Sequence, residues 1–231
     1  MNEYRIVLLR HGQSAWNLEN RFTGWTDVDL TDKGREEARH AGELIAGAGI
    51  KPRYYFTSYQ KRAIHTLQLA ADAMDRAWVP VIKDWRLNER HYGALQGLNK
   101  ADTAAKYGDE QVHIWRRSYD VAPPMVGLDD ERYPGHDERY RGIPADEMPR
   151  GESLEMCIAR VRPCWDEVIA PKVPLYHDVL VTAHGNSLRG LAMLLLGLTP
   201  EEVMKFEIPT GAPLVLTLDA SSLRVTEHHY L

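Results

Sequence analysis

Residues 4–17, Tyr-Arg-Ile-Val-Leu-Leu-Arg-His-Gly-Gln-Ser-Ala-Trp-Asn, begin as a short apolar run and stop abruptly at Arg10, His11 and Gly12. Such a run reads as a buried strand that delivers a cation and an imidazole to its carboxyl end. In open α/β sheets that end is where loops converge on a ligand crevice. The arrangement recurs late in the chain, where Asp178-Val-Leu-Val-Thr-Ala leads into His184, Gly185 and Asn186. One histidine after a strand is commonly just a hydrogen-bonded loop residue, but two strands each ending in His-Gly point to a shared site.

Between and after these strands, helical and strand patterns alternate. Thr31 precedes a helical pattern of Ala38, Ala41, Leu44, Ile45 and Ala48, and Gly47-Ala-Gly49 supplies its C-terminal stop. Tyr54–Thr57 reads as a strand, and Ser58 as the cap of a helix carrying Arg62 in its first turn. Free amides and the positive dipole end there favour anions, although a solvated surface arginine is the plainer alternative. Val79–Ile82 reads as a short strand that Pro80 confines to a sheet edge or to a strand start. Trp85–Gly93 is polar and aromatic without a helical period, the kind of loop on which sites are built.

Residues 99–117 suggest two helices split at Gly108, the second ending in Arg116-Arg117. Adjacent helical side chains diverge by roughly 100°, so these two arginines suit different groups of one ligand. Residues 118–152, rich in proline, glycine, acids and tyrosine, form a loop long enough to be either a functional cover or disordered. Within it Asp130-Glu-Arg-Tyr133 is echoed by Asp137-Glu-Arg-Tyr140, an echo we read as coincidental. A helix from Ser153 is expected to kink at Pro163. The strand 178–183 is followed by an apolar helix, Asn186–Leu196, closed by Gly197. Thr199-Pro-Glu-Glu202 is a capping box, and Leu214–Leu218 with Leu223–His229 a terminal hairpin. The expected fold class is therefore α/β, a mostly parallel central sheet with helices on both faces, in one domain over 1–231 with a loop insertion at about 118–152.

The net charge of −5 argues against a general nucleic-acid or anionic-membrane surface, so an anionic small molecule would need a local basic pocket. No apolar run approaches the ~18 residues that span a bilayer. Met1-Asn-Glu-Tyr-Arg leads straight into the first strand rather than through a signal peptide, which reads as cytoplasmic. Cys157 and Cys164 lie about 10 Å apart along a predicted helix, too far for a disulfide.

Two strand-end histidines with several arginines and no metal-ligand spacing such as His-x-x-x-His fit phosphoryl transfer to nitrogen. A neutral imidazole attacks phosphorus and divides one hard step into two, while cations and amide donors stabilise the spread charge in transit. His11 is the candidate nucleophile. Arg10, Arg62 and His184 are placed around the phosphoryl group, with Asn17 and Asn186 as further donors. His184 would act protonated or as a hydrogen-bond donor, and backbone amides near Gly12 and Gly185 could come close. Proton transfer calls for a carboxylate. Among 33 acidic residues Glu89 stands out only by its loop, beside Arg90, His91 and Tyr92.

These residues resemble the histidine phosphatase superfamily, and Arg10-His-Gly-x-Ser-x-Trp-Asn17 narrows the resemblance to cofactor-dependent phosphoglycerate mutases. It extends over nearly the whole chain through Asn20–Trp25, Lys61–Thr66, Trp85–Gly93, Gly97–Lys100, Tyr107–Tyr119 and Ala183–Ser187. The resemblance implies that His11 is phosphorylated and that Glu89 donates and accepts the proton. Arg10, Asn17, Arg62, His184 and Asn186 would hold the transferring phosphate. Ser14, Thr23, Gly24, Tyr92, Lys100, Arg116, Arg117 and Gly185 would bind the rest of the substrate. The implied reaction is the glycolytic and gluconeogenic interconversion of 2- and 3-phosphoglycerate, primed by 2,3-bisphosphoglycerate, with no metal required.

Related bisphosphoglycerate mutases carry glycine at the position of Ser14 and Cys-Ser at Thr23-Gly24, which makes bisphosphoglycerate synthesis the runner-up. A plain phosphatase is the next rival, against which Lys100, Arg116 and Arg117 supply charge for a substrate carboxylate. A phosphate-binding module without activity and a metal hydrolase are remoter readings. Two departures stand out. Gln13 replaces the usual glutamate and removes a negative charge next to the nucleophile, and larger relatives continue past Tyr230-Leu231 with a mobile tail that retains the intermediate. Relatives are commonly dimers or tetramers, so a homo-oligomer is expected.

Overall fold

The computed structural model describes residues 3–231, so the lead from Met1-Asn2 into the first strand lies outside the described residues. Six strands form one sheet in the order β3-β2-β4-β1-β5-β6. They are β1 (Glu3–Arg10), β2 (Tyr54–Thr57), β3 (Val81–Lys83), β4 (Asp178–Ala183), β5 (Pro213–Asp219) and β6 (Val225–Tyr230). β3, β2, β4 and β1 run parallel, while β5 and β6 add the expected antiparallel hairpin. Both parallel strands at the centre are apolar on both faces because both faces are covered. Ile6 and Leu8 of β1 and Val179 and Val181 of β4 pack into one core, and Val7, Leu9 and Leu180 into the other. Burying each such side chain contributes about 1.5–3 kcal/mol.

The helices are α1 (Ala15–Leu18), α2 (Asp32–Gly47), α3 (Lys61–Ala73), α4 (Lys100–Tyr107), α5 (Asp109–Arg117), α6 (Leu154–Cys164), α7 (Val173–Tyr176), α8 (Gly185–Leu196) and α9 (Pro200–Lys205). Ala38, Ala41 and Ile45 of α2 and Leu67, Ala70 and Ala71 of α3 cover one face of the sheet, and Cys157 and Val161 of α6 with Leu188 and Leu191 of α8 cover the other. Thr31 caps α2 and Ser153 caps α6. Thr199 and Glu202 complete both bonds of the capping box on α9. Gly108 divides α4 from α5 at φ +87, where a β-carbon would be strained.

Two local expectations change, those for Ser58 and for the repeat in 118–152, and the helix around Pro163 gains detail. Ser58 does not cap α3, which starts after Gln60 without a side-chain cap. Pro163 lies inside α6 and is followed by a π turn at Trp165–Ile169. With no N–H on the proline, the helix interior loses one bond and the pattern is wider beyond it. The echo in 118–152 is a repeated local device. Asp130 accepts from the Arg132 amide and guanidinium, Asp137 does the same for Arg139, and Tyr133 and Tyr140 enter a small core with Trp25, Val126 and Met148. The segment is thus a built layer, tied to the loop after Tyr92 by the Ala94 amide donating to Pro124 O at 2.8 Å. Cys157 and Cys164 are both free and buried. No helix among the described residues is long and apolar enough to cross a membrane.

Candidate active site

Register builds the centre of the site. Arg10 of β1 pairs with Ala183 of β4, so the residues that follow, His11 and His184, leave the sheet side by side. The His11 amide donates to Ala183 O at 3.0 Å, and the two rings lie 5.0 Å apart. Thr57 of β2 pairs with Thr182, which brings Ser58 to the same edge. β1 and β4 therefore end on one cavity of about 150 Å³, and β2 ends beside it.

Its wall carries Arg10, Arg21, Arg62, Lys100, Arg116, Arg117 and Arg189 against only two carboxylates, Glu89 and Glu207. A chain with an overall charge of −5 thus concentrates positive charge at one place, where field focusing draws anions. Arg117 spends part of its charge on Glu207 at 2.7 Å, at the exposed rim.

The imidazoles are prepared as neutral groups. Burial, then the charges of Arg62 and Arg10, hold His11 well below its ordinary pKa. Its Nδ1 lies 2.7 Å from Gly12 O, an acceptor only, so the ring proton sits on Nδ1 and the lone pair on Nε2. His184 is likewise held well below its ordinary pKa by burial, Arg62, His11 and Arg10. It is therefore a neutral donor before any anion arrives. Ser58 Oγ accepts from the Gln60 amide at 3.2 Å and lies 2.8 Å from His184 Nε2, the one neighbour among the described residues left to take the buried hydroxyl's proton, so that proton is assigned to this nitrogen. The His184 proton is left on Nδ1.

Among the described residues, four buried nitrogens at or beside the cavity have no partner: Arg10 Nε, Arg62 Nε, His184 Nδ1 and Arg189 Nη1. An unsatisfied buried donor costs about 1–3 kcal/mol, which a bound oxyanion relieves. Other nitrogens of Arg10 and Arg62 are anchored. Arg10 Nη1 donates to Ile208 O at 3.1 Å, and Arg62 reaches Thr26 O at 3.0 Å and Gly24 O at 2.8 Å. Arg62 is fully buried, which pushes its pKa down to about 10 while leaving it charged. α8 directs its N-terminus into the cavity through Gly185 and Asn186, adding its dipole.

Glu89 is 9% exposed. Burial pushes its carboxyl up, but the Arg90 amide, Arg10, Arg62 and the Asn186 amide outweigh burial and hold it below the usual range. Those two amides donate to Oε1 at 2.9 and 3.0 Å. Oε2 remains for proton exchange.

All of the expected site residues line the cavity except Ser14 and His184. His184 is fully buried beside His11. Ser14 is fully buried and caps α1, with Oγ accepting from the Asn17 amide and its own amide donating to Asn17 Oδ1. That bond leaves the Asn17 Nδ2 group free for the cavity. The Gly12 amide is not a phosphate donor, because Thr66 Oγ1 accepts it at 3.1 Å. Nor does Gln13 stand against the nucleophile. Its side chain accepts from Thr31 Oγ1 at 3.0 Å, at the start of α2, and its amide donates to Glu37.

Arg189, Glu207 and Ser58 were not anticipated. Arg189 had a signal, a lone charge in an apolar helix three residues after Asn186 and so on the same face. It donates to Asn186 Oδ1 at 2.5 Å, which leaves the side-chain Nδ2 of Asn186 for the cavity. Among the described residues, no group of three or more His, Cys, Asp or Glu could hold a metal ion.

A sequence model of the histidine phosphatase superfamily (branch 1) matches residues 6–141 and 127–230. The 2,3-bisphosphoglycerate-dependent phosphoglycerate mutases of Nitratidesulfovibrio vulgaris strains Hildenborough and DP4 are each 56% identical over 227 residues, 98% of this chain and 90% of theirs. The native structure of a mycobacterial glucosyl-3-phosphoglycerate phosphatase superposes with a TM-score of 0.73 at 26% identity, covering 99% of this chain and 97% of that one. The alpha-ribazole phosphatase of Shigella flexneri, 20% identical with a TM-score of 0.72 over 96% and 93% of the two chains, shares the fold. Matched from end to end by that model, and sharing more than half its residues with these two mutases, the chain belongs to the histidine phosphatase superfamily and, within it, to the 2,3-bisphosphoglycerate-dependent phosphoglycerate mutases.

Proposed function

We propose that this chain interconverts 2-phosphoglycerate and 3-phosphoglycerate through a phosphohistidine on His11. The observation that carries the reading is the neutral His11 ring, its Nδ1–H committed to Gly12 O, set among unpartnered guanidinium donors. Its Nε2 lone pair attacks phosphorus. Arg10, Arg62 and the His184 Nδ1–H take the three spreading oxygens, with Asn17 and Asn186 amides beside them. Glu89 gives a proton to the departing alkoxide and takes one from the hydroxyl that is phosphorylated in return. Its depressed pKa suits the second task at rest, and the proton arrives with the substrate hydroxyl.

The donors fit a molecule with two phosphates and a carboxylate. Arg10, Arg62 and His184 suit one phosphate, and Lys100, Arg116, Arg117, Thr23, Gly24, Tyr92 and Gly185 suit the remainder. 2,3-Bisphosphoglycerate supplies the phosphoryl group that primes His11. Ser14 supports the site by capping α1 and fixing Asn17. The single-domain reading rests on one sheet that takes strands from both ends of the chain. A cytoplasmic homo-oligomer acting on small phosphoglycerates, without nucleic-acid or membrane partners, completes the proposal.

The test is isomerisation measured with and without 2,3-bisphosphoglycerate, alongside release of inorganic phosphate. Isomerisation stimulated by the bisphosphate and far exceeding release is expected. Release without isomerisation would favour the phosphatase reading, which the glucosyl-3-phosphoglycerate phosphatase neighbour keeps in view.

A further inference from the structure

Behind Glu89 the main chain bends around one guanidinium. Arg160, in the middle of α6, donates from Nη1 to Arg86 O at 2.6 Å and to Asn88 O at 3.0 Å, and from Nη2 to Glu89 O at 2.9 Å. Nε and Nη2 bind the two oxygens of Glu152 at 2.6 and 2.9 Å. A guanidinium has five N–H donors, and these bonds engage all five. The two side chains are only 9% and 3% exposed.

Glu152 closes the ring. Its Oε2 accepts from the His91 amide at 2.7 Å and its own amide donates to His91 O at 2.8 Å. Carbonyls 86, 88 and 89 and amide 91 are thus fixed by one ion pair, with Glu89 at the apex. Trp25 Nε1 adds a bond to Glu89 O at 2.6 Å, and its ring lies under the Arg160 guanidinium. Glu152 is also the last residue of the 118–152 segment, just before the α6 cap, so the brace ties that segment to the loop of the carboxylate.

We infer that Arg160 and Glu152 are positioning residues that hold the 86–91 loop so that Glu89 meets the substrate hydroxyl. Neither lines the cavity. The inference rests on the proton-transfer role proposed for Glu89. Lysine cannot replace Arg160, because one ammonium offers three donors from a single point where five directions are needed. A shift of about 1 Å in a catalytic group costs on the order of 100-fold in rate. Arg160→Lys should therefore lower kcat by about 10- to 100-fold. It should leave the affinity for orthovanadate, a phosphoryl mimic held by Arg10, His11, Arg62 and His184, within about twofold of the parent.

The experiment measures isomerisation kcat and vanadate affinity for Arg160→Lys, Glu89→Gln and their combination. A paired Arg160→Met/Glu152→Met variant removes both charges together, a change that buried ion pairs tolerate in folding. The brace predicts that the combination is no slower than Glu89→Gln alone, because displacing a carboxylate already replaced has no further effect. It also predicts that the Met pair, once its fold is verified by circular dichroism, binds vanadate and turns over slowly. Parent-like kcat in Arg160→Lys or in the folded Met pair, or kcat and vanadate affinity falling in proportion, would overturn it. If instead Glu89→Gln keeps parent turnover, the role of Glu89 itself fails, an outcome separate from failure of the brace.

Discussion

Gly12 is the residue whose smallness the site depends on, and Gly12→Ala tests that quantitatively. A β-carbon there would stand 2.1 Å from Gly34 O and 2.7 and 2.8 Å from the Gly34 carbonyl carbon and Cα. The neighbour is backbone and cannot rotate aside. From the other side, a β-carbon on Gly34 would lie 2.0 Å from Gln13 O. Restoring ordinary contact needs a displacement of about 1 Å or more. The chain is pinned around it, by the Gly12 amide on Thr66 and by the His11 amide on Ala183 O. The shift therefore falls partly on His11. We expect a loss of about 1–3 kcal/mol in stability from overpacking and a fall in kcat on the order of 100-fold from the misplaced nucleophile.

Gly34→Ala should produce the same pair of effects although Gly34 is outside the cavity. Gly47→Ala is the control, since nothing lies within 4 Å of a β-carbon there. It should leave kcat unchanged. The assay is isomerisation kcat together with urea unfolding on all three variants. Parent kcat and stability in Gly12→Ala would refute the reasoning.

Two further predictions concern the histidines. Ser58→Ala removes the proton donor to His184 Nε2 and the acceptor of the Gln60 amide. Stability should fall by about 1–3 kcal/mol, and the His184 ring ¹⁵N shifts should report a changed tautomer mixture; unchanged shifts would contradict the assignment. Burial holds the His91 pKa down to about 4, against 6.5 for a free histidine. Because the folded value is depressed, the unfolded chain binds its proton first, so His91 contributes stability that is intact above pH 6.5 and is lost as pH falls toward 4. Between pH 7 and 4.5 the loss is about 2–3 kcal/mol. Urea unfolding of His91→Gln should show a pH dependence flatter by that amount, and an equal pH dependence would contradict it.

The sheet and the centre of the site were legible because both are local in sequence. An apolar strand ending in His-Gly carries its own side chains to the sheet edge, and two such strands in parallel register need no further information to meet. What sequence could not order was whatever depends on bonds between distant segments. Ser58 reads as a helix cap until β4 brings His184 beside it. Gln13 reads as a neighbour of the nucleophile until Thr31 turns it toward α2. Arg160, in the middle of an amphipathic helix, and Glu152, just before its cap, look like ordinary charges, because only tertiary folding wraps the 86–91 carbonyls around the guanidinium. The repeated Asp-Glu-Arg-Tyr was visible, but its meaning came from the two aspartates each holding the arginine two residues on and from the tyrosines filling a shared core.

The central claim is that His11 Nε2 carries the phosphoryl group in transit. Its most direct test is intact-protein mass spectrometry after mixing with 2,3-bisphosphoglycerate, followed by peptide mapping. The account predicts one phosphoryl adduct, labile to acid and stable to base, that maps to His11, is absent from His11→Ala and, when isotopically labelled, exchanges its label with added 3-phosphoglycerate. No adduct on the parent protein, or the same adduct on His11→Ala, would contradict it.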